Sequence, residues 1–164
     1  LSNVLIIAEQ GGGALRKATL HALAAGRALA AHTGGTLQAA LLGSGVSAAA
    51  AELAAHGVPV LVADAPHLAA PTASAHAAAA ARLVESSRAA FVGAAATAYA
   101  RDLLPRLAAR LGAGMATDVL GFGGDGPTVT FRRPMWAGNV LAEVELTTPV
   151  KVFTVRTTEF EPVP

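Results

Sequence analysis

The sequence predicts an α/β fold: doubly wound, with a mainly parallel sheet, helices on both faces and a C-terminal antiparallel β meander. Three observations lead there. Short apolar runs of strand length alternate with alanine-rich stretches of helical spacing through the first two thirds of the chain. Glycine closes most of these stretches, as at Gly34-Gly35, at Gly43 and Gly45, and at Gly112. Beyond Gly112, strand-like runs follow one another with only turn residues between them. Strands alternating with helices imply right-handed crossovers and a sheet covered on both faces, whereas strands joined by turns alone pair antiparallel.

Residues 4–8, Val-Leu-Ile-Ile-Ala, form an uninterrupted apolar run, which suits a strand buried on both faces. Gly11-Gly12-Gly13 follows as a loop, and residues 17–32 carry Leu20, Leu23, Ala24, Arg27 and Ala28 at helical spacing before the glycine stop at Gly34. The cycle repeats as strand 36–42, turn 43–45, helix 47–56, strand 60–63, helix 72–86, strand 90–94 and helix 100–111. Strands 128–131, 140–146 and 150–155 then form the meander, with turns at 123–127 and 147–149. In the second of these, Val140, Ala142, Val144 and Leu146 alternate with Leu141, Glu143 and Glu145, so both glutamates share one solvated face. Residues 1–158 read as one α/β domain, and residues 159–164, with Pro162 and Pro164, as the start of a linker.

Composition narrows the function. The 164 residues are 53% hydrophobic and 14% charged, with net charge +1, which leaves no field to steer the chain toward nucleic acid or anionic lipid. No apolar run has the roughly 18 to 20 residues that a membrane span needs, so no membrane insertion is expected and the location reads as cytoplasmic. The absence of cysteine removes thiolate metal sites, iron–sulfur ligation and thiol nucleophiles together. The histidines, at 21, 32, 56, 67 and 76, include no pair three or four residues apart, so metal binding is not expected. No Gly-x-Ser-x-Gly elbow is present and the chain is not expected to be an enzyme.

Four places offer binding groups. Gly11-Gly12-Gly13-Ala14-Leu15-Arg16 lacks both the dinucleotide and the P-loop pattern and reads as a plain turn. The stretch 93–99 follows a core strand at the carboxyl edge, where a nucleotide can lie; Gly93 and Thr97 are its vestigial nucleotide-loop candidates, against the alternative of a packed connection. Arg133, Trp136 and Asn139 cluster around a tight turn, either as a partner interface or as a capped hairpin with Trp136 in the core. Arg156 leaves the last strand, placed to pin the linker or to face a partner.

The run from Phe131 to Val140, Phe-Arg-Arg-Pro-Met-Trp-Ala-Gly-Asn-Val, resembles a segment of electron-transfer flavoprotein alpha subunits, in which arginine and often proline precede an aromatic-Ala-Gly-Asn group. Residues 151–160 resemble the strand and arginine turn that close the same domain, and 4–9, 18–20, 58–64 and 101–107 resemble it upstream in the same order. Trp136 stands where tyrosine is common, and Ala100 where glycine often stands. The resemblance implies the N-terminal domain of an alpha subunit. It further implies a heterodimer with a beta subunit, FAD held by a C-terminal domain absent from this stretch and no cofactor here. By the same resemblance, electrons pass from dehydrogenases to a quinone oxidoreductase or another acceptor, and AMP lies in the beta subunit. A free-standing adenine-nucleotide module, similar to universal stress proteins, is the alternative that the parallel sheet leaves open.

Overall fold

The computed structural model describes residues 2–125 and 128–164. Strand β1 (Asn3–Ala8) leads into a small hairpin of β2 (Gln10–Gly11) and β3 (Ala14–Leu15), whose tip is Gly12 and Gly13 at φ 63° and 82°. The glycine run is thus a turn, at backbone angles that favour residues without a Cβ. Helix α1 (Lys17–Thr33), β4 (Leu37–Gly43), α2 (Ser47–Ala55), β5 (Val60–Asp64), α3 (Ala73–Ser87), β6 (Ala89–Ala95) and α4 (Ala98–Leu111) follow in the expected alternation. Left-handed glycines, Gly34 and Gly112, end α1 and α4, and the Thr97 hydroxyl caps the start of α4 by accepting from the Ala100 amide at 3.2 Å.

The last third comprises β7 (Gly114–Val119), β8 (Gly121–Gly123), β9 (Thr130–Met135), β10 (Val140–Glu145) and β11 (Lys151–Val155). The main sheet has six strands, all parallel, in the order β5-β4-β1-β6-β11-β7. A separate antiparallel sheet has the order β10-β9-β8.

The predicted class holds, with two corrections in detail. Residues 150–155 do not close the meander: β11 lies inside the main sheet, parallel to β6 and β7. Its Val152, Phe153, Thr154 and Val155 are all buried, as a strand covered on both faces requires, whereas β10 alternates from Leu141 onward between exposed and half-buried positions. The meander is completed instead by β8, and β7 is a strand the sequence did not announce. Of the turn expected at 123–127, Gly124 has φ 100°, while Gly126 and Pro127 lie outside the described residues.

Alternate residues of β1 sort the core onto the two faces. Val4, Ile6 and Ala8 pack under α1 and α2, while Leu5 and Ile7 pack against α3 and α4. The small sheet shares the first face, because β7 and β11 are parallel neighbours and their connection must cross over one side of the sheet. Here an antiparallel sheet provides the crossover in place of a helix. All five phenylalanines join at this junction: Phe122 stacks edge-on with Phe131 and Phe153 at 5.9 and 5.5 Å between ring centres, and Phe91 and Phe160 complete the group.

Residues 159–164 lie along α1. The Val163 side chain is buried, its amide donates to the Leu20 carbonyl at 3.2 Å, and His21 Nδ1 donates to the Phe160 carbonyl at 2.7 Å.

Candidate functional site

The Phe131 ring enters the core, so period-two alternation along β9 sends Arg133 and Met135 to the same face and Arg132 to the other. Arg132 lies over Gly121 of β8. The Nε of Arg133 is buried and has no hydrogen-bond partner among the described residues. β9 and β10 are joined by a tight turn, Trp136–Gly138, in which Trp136, Ala137 and Gly138 have φ 53°, 54° and 89°. For two non-glycine residues this backbone costs about 1–2 kcal/mol each. Asn139 secures the turn, its Nδ2 donating to the Trp136 carbonyl at 2.9 Å. Trp136 itself is 79% exposed and Leu141 62%, with Met135 and Val140 exposed beside them.

Facing this hairpin are the carboxyl ends of β7 and β11. Asp118 has φ 57°, where the β7–β11 register shifts, and its amide donates to Thr154 Oγ1 at 2.8 Å. That turns its carboxylate to Arg156, which binds both oxygens, one through Nε at 3.2 Å. The bond to Asp118 raises the Arg156 pKa, so the guanidinium stays charged. Between the two walls lies a cleft of about 480 Å³ lined by Asp118, Arg133, Pro134, Met135, Trp136 and Arg156. With two guanidiniums, one carboxylate and an apolar rim, it can take up an anionic group attached to an apolar one.

A second cleft, of about 330 Å³, opens at the carboxyl edge of the main sheet, where the strand order reverses between β1 and β6. Glu9, Gln10, Gly11, Arg16 and Tyr99 line it. His76 Nε2 lies 3.0 Å from the Leu68 carbonyl and must donate to it, so in neutral His76 the Tyr99 hydroxyl donates to Nδ1 at 2.8 Å. Burial, and after it the charge of Glu9, push the Tyr99 phenol up from its ordinary value. A depression of about 590 Å³ between β5 and α3 is walled by alanine and other aliphatic side chains with His67 and Arg82, and its Asp64 carboxylate is already bonded to the Gly45 and Val46 amides. Among the described residues no three His, Asp or Glu side chains gather as metal ligands, and no helix is long and apolar enough to cross a membrane.

The electron transfer flavoprotein domain matches residues 4–164 of the chain. The chain belongs to this family. It is 33% identical over 154 residues to the electron transfer flavoprotein subunit alpha of Bacillus subtilis, covering 93% of this chain and 47% of the relative. Against the subunit alpha of Pseudomonas aeruginosa it is 38% identical over 172 aligned positions, 98% of this chain and 50% of the relative. Against that of Megasphaera elsdenii it is 35% identical over 144 residues, 86% and 43% respectively. The chain therefore spans about half the length of the curated relatives it matches.

In this electron transfer flavoprotein domain, Arg133, Trp136 and Arg156 meet at one cleft, and Asn139 secures the turn beside it. Trp136 is not in the core. Gly93 and Thr97, by contrast, line neither the hairpin cleft nor the one at the sheet edge. Gly93 lies inside β6, between Ile6 and Phe153, rather than in a loop, and a Cβ there would stand 2.4 Å from the Phe153 ring. Its missing side chain makes room for packing. Sequence reasoning missed Asp118, which orients Arg156, and missed the pairing of half-buried Tyr99 with buried His76. A lone aspartate in an unrecognised strand gave no signal; the Tyr99–His76 pair joins two helices, and sequence spacing carries no trace of it.

Proposed function

We propose that this chain is the N-terminal domain of an electron-transfer flavoprotein alpha subunit, acting as an electron-carrier scaffold rather than as an enzyme. It docks a beta subunit through the β9–β10 hairpin and supports an FAD held by a C-terminal domain of the same subunit. In the whole cytoplasmic protein, electrons pass from dehydrogenases through FAD to a quinone oxidoreductase or another acceptor. The observation that carries the docking role is the hairpin itself: the single tryptophan stands 79% exposed on a strained turn beside exposed Met135, Val140 and Leu141. Apolar anchors held in the open are characteristic of partner surfaces.

Co-expression with the beta subunit tests this reading. The 164-residue chain should co-purify with it, carry no oxidised-flavin absorption band by itself, and lose association on Trp136→Ala without losing thermal stability. Stoichiometric FAD on the isolated chain would refute the assignment of the cofactor to another domain. A second reading, an adenine-nucleotide module, draws on the cleft at the strand-order reversal, the place where open α/β sheets bind ligands. Calorimetric titration with AMP and ATP separates the two: micromolar binding favours the module, and silence favours the carrier.

A further inference from the structure

We propose that the hairpin cleft receives a carboxylate from the surface of the docked protein partner, with Arg133 as its counter-ion; this rests on the docking role of the hairpin. The cleft holds two guanidiniums, and their situations differ. Arg156 is matched, because both oxygens of Asp118 bind it and Glu159 adds its charge nearby. Arg133 is unmatched. Its Nε is buried without a partner, and among the described residues it joins no ion pair. Native proteins leave few buried donors unsatisfied, because each forfeits its hydration with no return.

Asp118 turns both oxygens to Arg156, and among the described residues Arg133 makes no bond to it. Cross-strand pairing offers nothing either: Arg133 faces Ala142 across the ladder, while Glu143 faces Arg132. An acceptor for the Arg133 charge comes from outside the described fold, reaching the part of the guanidinium that lines the open cleft rather than the buried Nε. Its charge is bounded by the same residues. A phosphate dianion would lie against the Asp118 carboxylate with one unmatched cation to hold it, whereas a carboxylate monoanion matches Arg133 one to one and suits the planar fork of a guanidinium. Met135 and Trp136, beside the cleft mouth, would shield that pair from water once a protein covers them.

Two measurements test the assignment. Trp136 is the chain's single tryptophan and lines the cleft, so its fluorescence reports occupancy directly. Phenylacetate should change it saturably and the uncharged phenylacetamide should not; an equal response to both overturns the proposal. In the second, association of the beta subunit with the chain should weaken roughly thirtyfold or more on Arg133→Met, with wild-type melting behaviour, and the variant should lose much of the salt dependence. Undiminished association in Arg133→Met, alongside loss in Trp136→Ala, overturns the carboxylate and leaves the docking role standing. Undiminished association in both removes the docking role and this proposal with it. Arg133→Gln serves if the methionine variant does not fold, and the phenylacetate comparison needs no variant.

Discussion

Tyr99 shows how a single half-buried hydroxyl couples the fold to pH. Its proton is committed to His76 Nδ1, the rings meeting edge-on at 5.7 Å, and His76 in turn holds the Leu68 carbonyl. Burial first, then Glu9, raises its pKa above the ordinary 10.0. In the unfolded chain the phenol ionises at about pH 10, while the folded chain keeps its proton. Above that pH the native state binds more protons than the unfolded one, so stability falls as pH rises. Tyr99→Phe should therefore cost about 1–2 kcal/mol near neutrality, where it orphans His76 Nδ1, and should show a shallower alkaline decline. Urea unfolding of both proteins between neutral and strongly alkaline pH checks this; parallel curves would refute it. Because Tyr99 is the only tyrosine, the phenolate absorption of the wild type reports the same transition. Sequence reading placed Tyr99 in a candidate nucleotide segment but could not find His76, since the partners lie 23 positions apart on different helices. Gly93 illustrates the converse. A glycine at a strand end reads as a loop, and only the neighbouring Phe153 ring reveals that its role is to leave space.

At the scale of elements, legibility followed burial pattern. The Val4 run, the glycine-stopped helices and the alternating β10 were readable because each shows one period and one stop signal. β7 was not: Gly-Met-Ala-Thr-Asp-Val mixes small and polar residues, and Asp118 leaves the extended region within it. The phenylalanine junction was equally hidden. Alanine is frequent among the buried residues, yet the joint between the small sheet and the main sheet depends on large rings contributed by β6, β8, β9, β11 and the segment after it. Phe131 is fully buried there and touches three of the other rings. Phe131→Ala should cost about 3–5 kcal/mol, a large share of the stability of a domain this size. Hydrogen exchange should lose protection in β8, β9 and β10 more than in β1 and β4. Equal loss throughout would mean that the small sheet is not a separately detachable layer. The hairpin cleft depends on the same joint, because Arg133 follows Phe131 on the same face of β9.

At the scale of the whole molecule, chain order and spatial order disagree where it matters most. β11 is the last strand in sequence, yet it pairs with β6 on one side and β7 on the other in the interior of the sheet. Chain ends are ordinarily the most expendable part of a domain, and the extended, proline-bearing residues 159–164 fit that expectation by composition. The residues immediately before them do not. Ending the chain at Pro149 would remove β11, leave β7 without its partner, expose the edge of β6 and empty the Phe153 site at the centre of the aromatic junction. Such a chain should show no cooperative thermal transition by circular dichroism. Ending it at Phe160 removes only the Val163 packing, its bond to Leu20 and the bond between His56 and the Pro164 carbonyl at 2.6 Å. That chain should unfold cooperatively, with a loss of about 1–3 kcal/mol. The contrast between the two truncations is the discriminating result: a cooperative transition in the Pro149 chain would mean that the first five parallel strands and four helices close a core without β11. Since Asp118 on β7 and Arg156 just past β11 form one wall of the hairpin cleft, the candidate site can assemble only after this last strand is in place.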